Sequence, residues 1–346
     1  MQVTEIQSKE RWNNFVTKIG GPIYNTWEWT TLCEGYSHTS YHFAAQENGS
    51  IVGVLPLIHI ESKIFDNHLV SMPYSEYGST LVEADNEEAR LALLKRAAAL
   101  ADELQVKYLV LRGDNVVNEA SSFGDFDVVN RFVTMEVDTT RSSEEVWNDC
   151  DSRFRRGVRK ARKEGLEVKK VNGKQGFEQY YNLFVRTMRG HGTPPHSRSF
   201  LYNLWSELND SVDIYLATYE GKAINGKMMV NWNGRKLYRM GVSNHEYRDL
   251  NGGSLLMWKA IEDACSGDYS TFDLGRTREG SGVYMYKKSM SPKKVWLDDL
   301  LYFPGEEVEL PNPNDSEYEK LQNIWKRLPL RLTELIGPHI RKDLSL

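Results

Sequence analysis

The chain has 346 residues, room for about two domains with real cores, and its 40% apolar and 26% charged residues exclude a disordered polymer. A net charge of −5 argues against a DNA coat or histone-like role, though not against a local basic patch. No run approaches the ~18–20 apolar residues of a membrane span, MQVTEIQSKERW does not read as a secretory signal, and Cys33, Cys150 and Cys265 are too few and too far apart for a disulfide framework or a CxxC metal site.

In chain order, residues 41–47 and 51–58 are apolar runs around Asn48-Gly49-Ser50, which predicts a hairpin because Asn-Gly accepts positive φ. Short strands are expected near 68–72 and 79–82. Leu and Ala at three- and four-residue spacing predict a helix over 86–105, capped by Asn86, with Glu87 and Glu88 at its positive end. Residues 107–112 follow as a buried strand. A strand over 131–138 leads to a short helix at 143–149, with Thr139, Thr140 or Ser142 placed to cap it. Beyond the basic segment Ser152–Gly165, helices are expected at 174–188 and 197–208, separated by Gly190, Gly192, Pro194 and Pro195.

The second half then repeats the first. Residues 212–219 and 222–230 flank Glu220-Gly221, 235–242 is a strand, 252–266 a helix and 270–275 a closing strand. Ile51 and Ala223 take the same hairpin place, and Leu109 and Phe272 the same closing strand, which points to a duplicated unit. PGEEVELPNPNDSEYE reads as a loop. The terminal NIWKRLPLRLTELIGPHIRKDLSL is amphipathic, able to lie on a membrane surface but better explained by docking on its own domain. The fold class expected is α+β, with domains at 1–140 and 141–305 and a helical extension at 306–346.

Three segments have the makings of chemistry. Residues 151–170 hold nine Lys or Arg against three acids, a local charge near +6 in a negative chain. On a helix Arg155, Arg159, Arg162 and Lys163 share one flank, with Arg156 and Lys160 nearby. Like charges so placed repel, and RNA phosphates or a diphosphate would relieve them. The alternative is a solvated helix bridged to acids elsewhere. Second, Arg248-Asp249-Leu250-Asn251-Gly252-Gly253-Ser254 stands between a strand and a helix, where freed backbone N–H groups can receive a phosphate. A plain cap by Asn251 or Ser254 explains the same residues. Third, Phe272–Lys288 ends a strand in Asp-x-Gly-Arg and continues through a Gly-rich loop to tyrosines and paired lysines. There Arg276 can clamp an anion and Lys287 can stabilise an oxyanion; a plain surface loop is the alternative.

The aromatic loops around Trp27 and around Tyr74 and Tyr77 can stack on a sugar or peptide acceptor, although packing is the commoner use of such residues. No nucleophile triad, Walker sequence or HExxH pair is present, so no metal is expected.

The segments SRFRRGVRKARKEG, GTPPHSRSFLYNLW, AINGKMMVNW, RDLNGGSLLMWKAIEDA, FDLGRTREGSGVYMYKKS and WKRLPLRLTELIGPHIRKDL together resemble the FemAB-like proteins, nearest the branch associated with exopolysaccharide and PEP-CTERM/exosortase gene clusters. The likeness runs nearly end to end. It implies two tandem GNAT-like domains, in agreement with the duplication. The glycine turn resembles the R-x-x-G-x-G/A turn by which GCN5-related N-acetyltransferases hold a pyrophosphate, with Asn251 in place of the first Gly.

What the resemblance implies is acyl transfer to an amine, by Lys287 as the family's transition-state lysine, in a Tyr286-Lys287 pair where the family has Phe-Lys. Arg276 and Tyr284 match the family's positions in the same loop. Donor phosphates would dock on Arg248, Asn251, Gly252, Gly253 and Ser254. Arg155, Arg156 and Arg159, with Trp27, Tyr74 and Tyr77, would hold anion or acceptor. The expectation is an acyltransferase with no bound cofactor, taking aminoacyl-tRNA or acyl-CoA as co-substrate. It would form an amide on a lipid- or nucleotide-linked cell-envelope precursor in the cytoplasm or at the inner membrane face, without DNA. An acetyl-CoA-dependent N-acetyltransferase on an exopolysaccharide amino sugar and a non-catalytic binding module are the alternatives.

Overall fold

A computed structural model describes residues 1–62, 65–84, 86–114, 126–208, 211–308 and 316–345, with no side-chain description at 114 and 316–318. The chain forms two compact units. The first comprises Met1–Phe132, Trp296–Pro311 and Lys342–Leu346; the second comprises Val133–Val295 and Asn312–Arg341. The expected cuts at 140/141 and 305/306 are contiguous, whereas the units are not, because a strand late in the chain is built into the first unit's sheet.

The first unit runs β1 (Gln2–Glu5), α1 (Lys9–Lys18), α2 (Trp27–Glu34), β2 (Thr39–Glu47), β3 (Ser50–Glu61), β4 (Asn67–Val70), β5 (Leu81–Val82), α3 (Glu87–Glu103) and β6 (Tyr108–Asp114). Strands β1 to β4 pair antiparallel in order, β5 pairs β3, and β6 lies parallel to β4. Alternation along β2 sends Phe43 and Ala45 to α3 and Ala44 to α1. The buried row Ala89, Leu93, Leu94, Ala97 and Leu100 of α3 packs with Phe43, Leu55 and Leu57, while Trp12, Phe15 and Val16 of α1 pack with Ala44 and Val54 on the opposite face.

The chain continues with β7 (Asp127–Asp138), α4 (Ser143–Asp149), α5 (Ser152–Lys163), β8 (Glu167–Lys170), α6 (Gly173–His191), α7 (Arg198–Glu207), β9 (Val212–Tyr219), β10 (Lys222–Trp232), β11 (Arg235–Ser243), α8 (Gly252–Ser266), β12 (Thr271–Asp273), α9 (Gly282–Lys288), β13 (Lys293–Tyr302), α10 (Ser316–Arg327) and α11 (Leu330–Arg341). In the second unit β8 to β11 pair antiparallel in order, β12 is parallel to β11, and β7 closes antiparallel on β12. In the first unit β13 pairs antiparallel with β6, so both units have the same strand order.

The duplication is thus structural. Each unit has strand, two helices, three antiparallel strands, helix and parallel strand, in that sequence. The first hairpins even share a defect: Val52 in β3 and Ile224 in β10, each three residues past its Gly (Gly49, Gly221), are skipped by the pairing register. Elements that carry weak sequence signals (β1, α1, α2, β8, β13) lie outside the expectations above. The Gly-rich stretch ends in the helix α9, capped by Ser281 Oγ, which accepts from the Tyr284 amide at 3.1 Å. Of the loop expected at 304–319, residues 309–315 fall outside the described residues, and 316–319 belong to the helix α10 instead.

Candidate active site

The strand β11 ends in a short 3-10 turn, His245–Leu250, and α8 then starts at Gly252. Asn251 takes the left-handed conformation (φ 56°, ψ 28°), and its side chain donates back to the Asp249 carbonyl at 3.0 Å instead of capping the helix. Neither expected cap operates, and no acid stands in the first turn of α8. A Cβ on Gly252 would run into Oδ1 of the buried Asn225, so only glycine lets the helix start lie this close to β10. Gly253 and Ser254 are half-buried, and Arg248 is exposed.

Helix α5 packs on α8, and the point of approach is Gly157. A Cβ there would stand 3.4 Å from Asn251 Oδ1 and 3.5 Å from Ser254 Oγ. The basic helix and the glycine turn, far apart in sequence, therefore form one surface. Arg153 and Lys160 stand four residues before and three after Gly157, on its own stripe of the helix. Of the seven cations of α5 only Arg162 has an acid partner among the described residues, Glu262 at 3.7 Å. Arg156 donates to Ser152 Oγ at 3.0 Å, and the Arg159 guanidinium lies 5.6 Å from the Trp147 ring centroid. Arg155 is half-buried.

The Asp-x-Gly-Arg sequence is a brace. The fully buried Asp273 accepts from Thr134 Oγ1, from the Gly275 amide at 2.8 Å and from Arg235 at 3.4 Å, and burial raises its pKa. Gly275 turns at φ +73°, where a Cβ would meet the Tyr238 carbonyl. That geometry aims two carbonyls at Lys287, whose Nζ donates to Gly275 O at 2.7 Å and Arg276 O at 3.1 Å. Lys287 is 3% exposed, a buried cation with fixed acceptors. Beside it, the Tyr286 hydroxyl donates to Gly253 O at 3.3 Å and is also hydrogen-bonded to Ser254, which ties α9 to the start of α8. Tyr284 is half-buried, with its hydroxyl on Glu279 at 3.2 Å, and Arg276 is half-buried.

Sequence reasoning missed Lys227, on the α8 face of β10. Its Nζ lies 4.1 Å from the centroid of the Tyr238 ring, and the Lys287 Nζ lies 5.9 Å from the same centroid. Tyr238 sits at a β-bulge, since the register skips Arg239 between Tyr238 and Met240. Burial pushes Lys227 down to about 7 and Tyr238 up to about 12. The available signal was a lone charge inside the run Ile224–Val230.

The aromatic candidates belong to the first unit. Trp27 stacks on His42 (centroids 3.6 Å apart), and half-buried Tyr77 meets Tyr24 edge-on. Tyr74 is buried and its hydroxyl donates to the Lys342 carbonyl, so packing removes it from a ligand's reach. In the second unit α10 and α11 pack on α6: Gly192 lies against Gln322, Gly337 against Pro195, and Arg198 pairs with Glu334 at 2.7 Å. Leu321, Ile324, Leu332 and Leu335 stay exposed. Among the described residues no His/Cys/Asp/Glu cluster suits a metal ion, and no helix is long and apolar enough to cross a membrane.

Residues 149–288 match the family model described as "Acetyltransferase (GNAT) domain". No curated protein matches the sequence. Among solved structures, FemX is similar with a TM-score of 0.70 at 15% identity, covering 94% of this chain and all of its own. L-PGS from Bacillus licheniformis has a TM-score of 0.60 at 12% identity, covering 97% and 99%. A tandem GNAT protein from the clavulanic acid biosynthesis pathway has a TM-score of 0.56 at 12% identity, covering 89% and 99%. These likenesses establish the fold as a tandem GNAT arrangement.

Proposed function

With a GNAT acyltransferase domain at residues 149–288 of a tandem GNAT fold, we propose that this chain transfers an aminoacyl group from aminoacyl-tRNA to an amine of a cell-envelope precursor. The observation that carries the reading is the meeting of α5 with the start of α8 at Gly157. The first unit serves as an internal control. There the equivalent helix α3 is capped by Asn86, whose side chain accepts from the Ala89 amide, and Glu87 and Glu88 fill its first turn. In the second unit the cap is lost, the acids are replaced by Gly252 and Gly253, and a helix with six cations lacking an acid partner among the described residues stands alongside. Positive dipole, open backbone and cations all favour a phosphate-rich ligand. Six such cations exceed what one diphosphate needs and suit a polynucleotide.

The acceptor amine attacks the ester carbonyl, a C–N bond forms, and the ester C–O bond breaks to release the ribose hydroxyl. Lys287 supplies positive charge to the oxyanion from a site of low dielectric, and much of the rate comes from positioning. The precursor would be lipid- or nucleotide-linked, of peptidoglycan or surface-polysaccharide type. FemX and L-PGS support an aminoacyl donor by likeness of fold alone. A second reading, acetyl-CoA-dependent N-acetylation of an amino sugar, draws on the glycine turn, whose freed amides would hold one diphosphate.

The test is binding of charged tRNA and of acetyl-CoA side by side at moderate salt. Saturable tRNA binding that needs the aminoacyl group is expected. Acetyl-CoA binding with no response to tRNA would move the assignment to N-acetylation, and silence on both would favour a binding module without transfer.

A further inference from the structure

Lys227 stands where the fold calls for an apolar residue. The matching hairpin glycines and the matching bulges pair each position of β10 with one of β3, and Lys227 pairs with Leu55, which is wholly buried in the core under α3. The register partners correspond too: Leu55 opposes Phe43, and Lys227 opposes Tyr215. A lysine in that place is a burden on folding, which points to use elsewhere.

Its surroundings differ from those of the second buried lysine nearby. Lys287 donates to two carbonyls, which occupy two of its N–H groups. Lys227 is 5% exposed and meets no carboxylate among the described residues; its neighbour is the face of Tyr238. The titratable groups around it leave its charge uncompensated. On β11 Tyr238 holds its proton, and on β9 the Tyr215 hydroxyl is spent on Asp263. On α9 stand Lys287 and Tyr286, and on α8 Lys259 pairs with Asp263 at 2.7 Å. Two amines thus stand by one ring, one donating to fixed carbonyls and one buried without a counter-charge among the described residues.

Resting on the acyl-transfer reading above, we propose that Lys227 is the general base of the reaction. The neutral Lys227 amine takes the proton from the acceptor nitrogen as the C–N bond forms. It then gives that proton to the ribose oxygen as the ester C–O bond breaks, and returns to its neutral state. Lys287 keeps its protons throughout and faces the oxyanion. Burial that brings Lys227 down to about 7 leaves much of it ready to accept a proton at neutral pH.

The experiment has two arms on the full chain. In the first, wild-type protein is labelled with trace acetic anhydride across pH 5–11 and Lys227 acylation is read by mass spectrometry. A midpoint near neutrality is expected, and a midpoint in the ordinary lysine range overturns the proposal whether or not the protein is active. In the second, kcat at saturating acceptor is followed against pH for wild type, Lys227→Met and Lys287→Met. Lys227→Met should lose ~10²-fold or more at neutral pH together with the acid limb, while Lys287→Met keeps the limb at a lower plateau. Melting curves confirm that both variants fold. An active wild type whose acid limb survives in Lys227→Met overturns the base role alone. A wild type that transfers nothing from any donor overturns the acyl-transfer reading, and the base role with it.

Discussion

The proposed tRNA surface makes a prediction in salt. Each phosphate neutralised by a protein cation releases counterions, so log K falls against log salt by about 0.7 to 0.9 per contact. If all six cations of α5 without an acid partner reach phosphates, the slope is about −4 to −5. The perturbation is Arg153→Gln, Arg156→Gln and Lys160→Gln together, residues clustered around the Gly157 contact. Removing three contacts should flatten the slope by about 2 to 3. With the 1 M intercept unchanged, that is about 10²- to 10³-fold weaker binding at 0.1 M. The assay is fluorescence anisotropy of labelled aminoacyl-tRNA between 50 and 300 mM KCl. A triple variant with the wild-type slope, or a wild-type slope near −1, would refute the argument, because α5 would then be a solvated helix.

Lys287→Met should cut turnover by ~10² while donor Kd stays within about twofold; equal losses in both would remove its oxyanion role. Gly252→Ala should cost about 1–3 kcal/mol in urea denaturation and weaken donor binding, since the new methyl meets Asn225 Oδ1; adding Asn225→Ala should recover part of the stability, and an unperturbed Gly252→Ala would contradict the packing. His42 is held at about 4 by burial against an ordinary 6.5, so the native state keeps it neutral while the unfolded chain takes up a proton below 6.5. The contribution of His42 should therefore be level above pH 7 and fall as pH drops from 6.5 toward 4, by up to about 1.4 kcal/mol per pH unit from this residue. Chemical denaturation at pH 7 and pH 5 should show that fall shrinking in His42→Gln.

What the sequence disclosed depended on whether the signal was local. Asn48-Gly49 announced a hairpin, the Leu/Ala spacing announced α3, and the order of elements announced the duplication. The partners of β6 and β12 were illegible, because nothing near Lys293 or Asp127 says which strand it will join. Helix α9 hid behind its glycines, since its cap, Ser281, lies inside the Gly-rich run. The site was legible in parts: the glycine turn, the basic helix and Lys287 each stood out. Their meeting did not, for it rests on Gly157, a residue notable only for lacking a side chain. Lys227 escaped notice because its meaning lies in comparison with Leu55, and that comparison needs the bulges at Val52 and Ile224 to fix the register.

The two units together separate what the fold requires from what function adds. Both units have the same strand order, the same hairpin bulge and the same helix over the sheet. The first satisfies that plan by ordinary means: a capped helix with acids at its positive end, and leucine in the core beneath it. At the equivalent places the second unit gives up the cap, leaves the helix dipole open and buries an amine that meets no carboxylate among the described residues, and outside the repeated elements it adds α5, lined with like charges. Each change works against stability, and the lost cap, the open dipole and the basic helix meet at the start of α8. Costs scattered by drift would fall on both units; costs gathered around one helix start fit selection for a ligand that supplies the missing negative charge. The family match lies at residues 149–288, the same unit in which those costs are concentrated.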